Sequence, residues 1–189
     1  REEAWHLLSY AFRYPEIWQQ TRELLLDISP KMEMAGFRDD WMMYLECGLK
    51  ECAVIEDTAA KARIYTWLAH ICELRGSYQK AFEFFAQSAL TYEFIGDLHQ
   101  CAKVLCWQAY VARLMGNYQS TSLLLDKANS YFEENDINRF DYHISLGWLE
   151  FDRNNQLVAF THFRTAFDLA TASKNQRVVY KALRGMATT

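Results

Sequence analysis

A short corner that recurs at nearly fixed spacing constrains this chain more than any other feature. It reads Gly36-Phe37-Arg38, Gly76-Ser77-Tyr78, Gly116-Asn117-Tyr118 and Asn154-Asn155-Gln156, so successive corners stand 40, 40 and 38 residues apart. Gly and Asn tolerate the left-handed backbone in which helices commonly end. Around the Gly76 corner, the stretch IYTWLAHICELRGSYQKAFEFFAQSA (residues 64–89) carries apolar residues at helical spacing on both sides. Two amphipathic helices therefore meet there. Self-similarity at such a period marks stacked units, each too small to bury its apolar face alone.

Two further features keep the same step. Asp57, Asp97, Asp136 and Asn175 open successive units at intervals of 40, 39 and 39 residues, and such side chains accept hydrogen bonds from the orphan N–H groups of a helix start. After each corner comes a small residue, a large apolar one four later and a small one three beyond. The sets are Ala81, Phe85, Ser88; Thr121, Leu125, Ala128; Ala159, Phe163, Ala166; and, in part only, Trp41, Leu45, Gly48. Small residues at this spacing let two helices approach, and the large one fills the groove between them. The expected fold class is all-α, with paired helices over 41–55, 58–75, 78–95, 99–115, 118–133, 137–153 and 157–173.

These residues resemble the tetratricopeptide repeat family, whose consensus places Gly, Tyr, Ala, an aromatic and Ala at these positions, with a small residue seven before the Gly. Gly76, Tyr78, Ala81, Phe85 and Ala69 fill the places in one unit, and Gly116, Tyr118, Ala128 and Ala109 match in the next. The last unit keeps Gly147, Ala159, Phe163 and Ala166 but lacks Gly and Tyr at its corner. A step near 40 exceeds the family's usual period of about 34, a difference that longer helices absorb. The longer form is similar to the C-terminal repeats of bacterial signal-transduction ATPases, including maltose-regulator-like and NB-ARC-like proteins. The resemblance implies an α-solenoid of antiparallel helix pairs wound as a right-handed superhelix with a period of about 40.

Residues 1–35 are expected to form an N-terminal helical cap or degenerate repeat. A helix over 2–13 is closed by Tyr14-Pro15, a second runs from about 16 to 28, Pro30 then interrupts, and residues 32–35 form a separate turn or a kinked continuation. Residues 36–174 carry the repeat pairs, and 175–189 form a capping or truncated helix. Its stripe of Val179, Leu183 and Met186 is expected to lie open and to favour a homodimer. The chain starts at Arg1 without a basic-then-apolar leader, so it is expected to be a processed product or, as the preferred reading, an excised part of a larger regulatory protein.

At 51% hydrophobic, 189 residues suffice for one compact domain or a short solenoid. A net charge of −4 provides no basic field for direct nucleic-acid binding, and no run of 18 apolar residues exists to span a membrane. Cys47, Cys52, Cys72, Cys101 and Cys106 lack the two-residue spacing of a zinc knuckle and are odd in number. They read as packed or surface thiols in a reducing, cytoplasmic setting. His6, His70, His99, His143 and His162 include no pair four apart on one helix, and His70 is expected to make a surface hydrogen bond to Glu73. Neither a phosphate-binding loop nor a catalytic constellation is visible, so no metal, cofactor or enzymatic activity is expected.

In the tetratricopeptide family the first helix of each pair lines a concave face that holds ligands. The resemblance places groove positions at Arg63, Thr66, His70 and Glu73; at Lys103, Cys106, Tyr110 and Arg113; and at Asp141, Ile144, Trp148, Phe151 and Asp152. Arg63, His70, Lys103, Tyr110, Arg113, Trp148 and Phe151 are the candidate partner-binding residues, and Arg113→Ala is accordingly expected to leave stability nearly unchanged. A basic middle and an aromatic end suit an extended segment with a carboxylate and an apolar anchor. The competing reading makes Tyr110, Trp148 and Phe151 simply core. The family's Lys and Asn carboxylate clamp is not reproduced. The expected function is a protein-protein interaction module for a peptide or partner domain. The alternative is an effector-sensing segment of a signal-transduction ATPase or transcriptional regulator.

Overall fold

The computed structural model describes residues 2–133 and 136–189. These form α1 (Glu2–Ala11), α2 (Trp18–Met34), α3 (Arg38–Ile55), α4 (Thr58–Leu74), α5 (Tyr78–Phe94), α6 (Leu98–Leu114), α7 (Tyr118–Tyr131), α8 (Phe140–Asp152), α9 (Gln156–Ala172) and α10 (Gln176–Thr188). Short 3-10 turns, Pro15–Ile17 and Ile137–Arg139, precede α2 and α8, and no strand occurs among the described residues. The chain divides into two compact units, residues 1–95 and 96–189. The division falls within the 36–174 span of expected repeat pairs.

The corners are helix ends of left-handed backbone, as the sequence suggests. Gly76 has φ +73°, and around it Gly76 N–H donates to Glu73 O and Ser77 N–H to Cys72 O, each at 2.9 Å. That closes the last turn of α4 and redirects the chain into α5. At the final corner Asn154 takes φ 64° in place of a glycine, with Asn155 N–H donating to Glu150 O at 2.9 Å. Helix starts follow in part. Asp57 accepts from Ala60 N–H, Asp97 from Gln100 N–H and Asn175 from Val178 N–H. Asp136 instead precedes a 3-10 turn, and its carboxylate meets His99 Nδ1 at 2.8 Å. Regular α8 therefore begins at Phe140.

In the N-terminal unit the core joins Leu8, Leu25, Leu26, Trp41, Leu45, Ile64 and Leu68 from the first four helices. The small-large-small set of α3, only partly matched in sequence, is buried throughout at Trp41, Leu45 and Gly48. Between α4 and α5, Ser88 Oγ lies 2.9 Å from Ala62 O and 2.8 Å from Thr66 Oγ1. The small position thus carries a hydrogen bond as well as a close approach.

Of the two readings open at Pro30 the continuation holds, since α2 runs through it to Met34. A mid-helix proline costs about 3 kcal/mol through its lost donor and its clash. Leu25, Leu26, Ser29 and Met32 are buried around it, and their packing offsets that local cost. Sequence propensity is overruled here by tertiary burial.

Asp57 ties α2 to the start of α4. Its Oδ1 accepts from Ala60 N–H at 3.0 Å, while Oδ2 accepts from Trp18 Nε1 at 2.9 Å and from Arg22 Nη1 at 2.8 Å. Burial pushes the Asp57 carboxyl upward, but the Ala60 amide, the Trp18 indole and the Arg22 guanidinium outweigh it and hold the group below the usual carboxylate range. A depressed folded pKa means that stability is present above the unfolded value of about 3.9 and is lost as pH falls through the folded one. Asp57→Ala is expected to cost about 1–3 kcal/mol near neutrality. In acid titrations of stability, the gap between wild type and variant should narrow below pH 4; a constant gap would remove Asp57 from this role.

The C-terminal unit is built around Phe163 of α9, with no exposed surface, packed among Phe140, Ile144, Ala159, Ala166, Val178 and Ala182. Glycines of α8 and α10 lie against its ring, where a Cβ on Gly147 or on Gly185 would stand 2.5 Å from ring atoms. The α10 stripe expected to lie open is therefore corrected. Val178, Ala182 and Gly185 are buried, Val179 and Met186 pack against the Phe163 core, and of the named stripe only Leu183 is exposed.

Candidate functional site

The candidate partner-binding residues fall on α4 in the N-terminal unit and on α6 and α8 in the C-terminal unit. On α4, Arg63 is exposed. His70 is half-buried, with its ring edge-on to the buried Phe85 at 5.1 Å and its Nδ1 3.5 Å from Glu73 Oε2. That side chain packs against α5 as well as reaching Glu73, so it is more than the surface contact expected.

In the C-terminal unit the helical spacing of Tyr110 and Arg113 puts both on one face of α6, and α8 and α10 extend that face. The Arg113 guanidinium lies 5.1 Å from the Tyr110 ring and 5.4 Å from the Trp148 ring. Arg184 of α10 covers Trp148 in turn at 5.5 Å. The result is a ladder of ring, cation, ring and cation across three helices. Each stacked contact is worth about 0.5–1 kcal/mol when exposed and more when dry. Lys103 sits over Trp107 at 5.9 Å on the same helix.

Arg113 is anchored within this ladder. Its Nη1 donates to Asp152 Oδ2 at 2.8 Å, and the side chain is only 11% exposed. Its Nε has no hydrogen-bond partner. The expectation that Arg113→Ala leaves stability unchanged is thus corrected, since truncation removes two ring contacts and strands the Asp152 carboxylate. Trp148 and Phe151 are half-buried, meet at 5.8 Å and pack on the Phe163 core. They serve as core on one side while Trp148 offers its face to the two arginines.

The groove register carried over from the family fails at several other positions. Cys106, Asp141 and Ile144 are buried, and Thr66 hydrogen-bonds Ala62 O and Ser88 Oγ inside the α4–α5 contact. These side chains hold helices together. Of the cysteines, Cys47 is exposed while Cys52, Cys72, Cys101 and Cys106 are buried. Burial pushes the Cys52 thiol up to about 12 and that of Cys106 well above its ordinary value, so neither is an activated nucleophile.

Two features escaped the sequence. Arg184 lies on α10, whose sequence is dominated by its apolar stripe. His143 and His162, 19 residues apart, meet across the α8–α9 hairpin with their Nδ1 atoms 3.2 Å apart. A usable signal existed for the second, since residues flanking the Asn154 corner at similar distances must face each other in a helical hairpin.

Adjacent helix pairs, recurrent left-handed corners and small-residue contacts define an all-α protein of helical-repeat character. No family model matches the sequence, and no curated protein matches it. Among solved structures it is similar to the crystal structure of BtubC (BKLC) from P. vanneervenii, with a TM-score of 0.69 and 18% identity over 98% of this chain and 81% of that one. At that identity the likeness is one of fold. No described helix is long and apolar enough to cross a membrane.

Proposed function

We propose that this chain is a tetratricopeptide-like α-solenoid that acts as a protein-protein interaction module, receiving a peptide or partner domain on the face formed by α6, α8 and α10 of its C-terminal unit. The observation that carries this reading is the Tyr110–Arg113–Trp148–Arg184 ladder. Its inner cation is neutralised by Asp152, but Arg184 at its outer end is exposed and makes no ion pair among the described residues. A prestacked arginine beside an aromatic face suits a segment that brings a carboxylate and an apolar side chain together, because the cation is already oriented before binding.

A cavity of about 650 Å³ at α1 is less informative. It is lined by His6, Leu7, Ser9 and Tyr10 of that helix and by Arg13 just beyond its end. Polar groups converging from several elements, as an effector pocket requires, are not among them.

The test is a pull-down from lysate of the source organism with wild type and with a Lys103→Glu/Arg184→Glu variant, both checked for equal helicity. Arg113 is left intact because it is structural. A partner held by wild type and lost by the folded variant supports the ladder face, whereas equal capture by both removes it from partner binding. Capture by neither turns the weight toward the effector-sensing reading.

A further inference from the structure

The His143–His162 contact has a geometry that serves more than a helix–helix hydrogen bond. The ring centroids are 5.5 Å apart with planes inclined by 33°, and the two Nδ1 atoms face each other at 3.2 Å. Two neutral imidazoles satisfy this contact only as unlike tautomers, one Nδ1 donating and the other accepting. The same Nδ1–Nδ1 separation matches that of two ligands on one ion. Two nitrogens each bound to one tetrahedral ion at about 2.0–2.1 Å stand about 3.3 Å apart. The rings come from two helices, α8 and α9, that pack against each other.

Both rings are half-buried.

We propose that His143 and His162 form a two-imidazole site for a divalent transition-metal ion that prefers nitrogen ligands, Zn²⁺ being the natural probe. No group of three or more His, Cys, Asp or Glu suited to a metal occurs among the described residues. Water completes the coordination, which makes the site an open and exchangeable one. Glu150 already accepts from Arg153 and Asn155, so it contributes charge rather than a ligand. Arg139, stacked on Tyr142 beside His143, opposes it. An ion there bridges α8 to α9 and stabilises the folded C-terminal unit by mass action.

The experiment is Zn²⁺ titration calorimetry on the full chain carrying Cys47→Ser, which removes the exposed thiol. One saturable event in the micromolar range is expected at neutral pH, weakened by about tenfold or more in His143→Gln and in His162→Gln. Absence of saturable binding below about 1 mM, or binding that survives both substitutions, overturns the proposal. Should a variant fail to fold by circular dichroism, imidazole ¹⁵N resonances of the unsubstituted histidine pair decide. Zn²⁺ must shift both Nδ1 signals, and a shift in one or neither overturns it.

Discussion

Phe163→Ala is expected to lower the unfolding free energy by about 3–5 kcal/mol, toward the upper end of what a buried aromatic truncation costs. The magnitude depends on whether neighbours can collapse into the space. Here the walls on two sides are Gly147 and Gly185, whose absent Cβ atoms would stand 2.5 Å from the ring. Neither has a side chain that can swing inward, and both are held in helices. The third contact, Trp148 edge-on at 5.1 Å, is restrained by Arg113 and Arg184. The cavity should persist and the full cost should appear in denaturant unfolding, read as a lower midpoint at unchanged slope. A loss under about 1 kcal/mol would show that the glycine-walled pocket closes.

Trp41→Ala should destabilise the N-terminal unit by a comparable amount, about 3–5 kcal/mol, for a different mixture of reasons. Trp41 has no exposed surface, stacks on Tyr44 at 5.8 Å, and donates from Nε1 to Ser29 Oγ at 2.9 Å. Ser29 Oγ itself donates to Leu25 O at 2.8 Å, so the indole closes a short chain of hydrogen bonds across the Pro30 region of α2. Trp41→Phe separates the parts. It keeps most of the apolar volume and loses the donor, for an expected cost of about 1–2 kcal/mol. Equal losses in the two variants would mean that the hydrogen bond, rather than the volume, dominates.

The repeat was readable because its signals are local. Gly76 and Asn154 mark helix ends through backbone tolerance, and Asp57, Asp97 and Asn175 mark helix starts through side-chain acceptors. The small-large-small sets fall on buried positions because helical periodicity fixes which residues share a face. At Pro30 a separate turn and a continued helix are both compatible with the sequence, because the proline's penalty is local while the compensation is tertiary. The delayed start of α8 was missed because Asp136 has the right side chain for a cap but meets His99.

The candidate site was harder to read for the same reason. Spacing placed Tyr110 and Arg113 on one face, but the α8 and α10 rungs depend on how helices stack. The family register assigned Cys106 and Ile144 to a groove although both are core. A helix packed by neighbours on several sides has few positions left to present, and sequence periodicity alone does not reveal which ones. The His143–His162 contact is non-local and has no linear motif.

The distribution of thiols turns the molecule into its own probe of local opening. Cys47 alone is exposed, whereas Cys52 and Cys72 report from one unit and Cys101 and Cys106 from the other. With Cys47 blocked, a thiol-reactive reagent can reach the remaining four only during transient excursions, at rates set by the free energy of each local opening. Mapping the modified peptides over time would therefore compare the breathing of the two units in a single native sample, without denaturant.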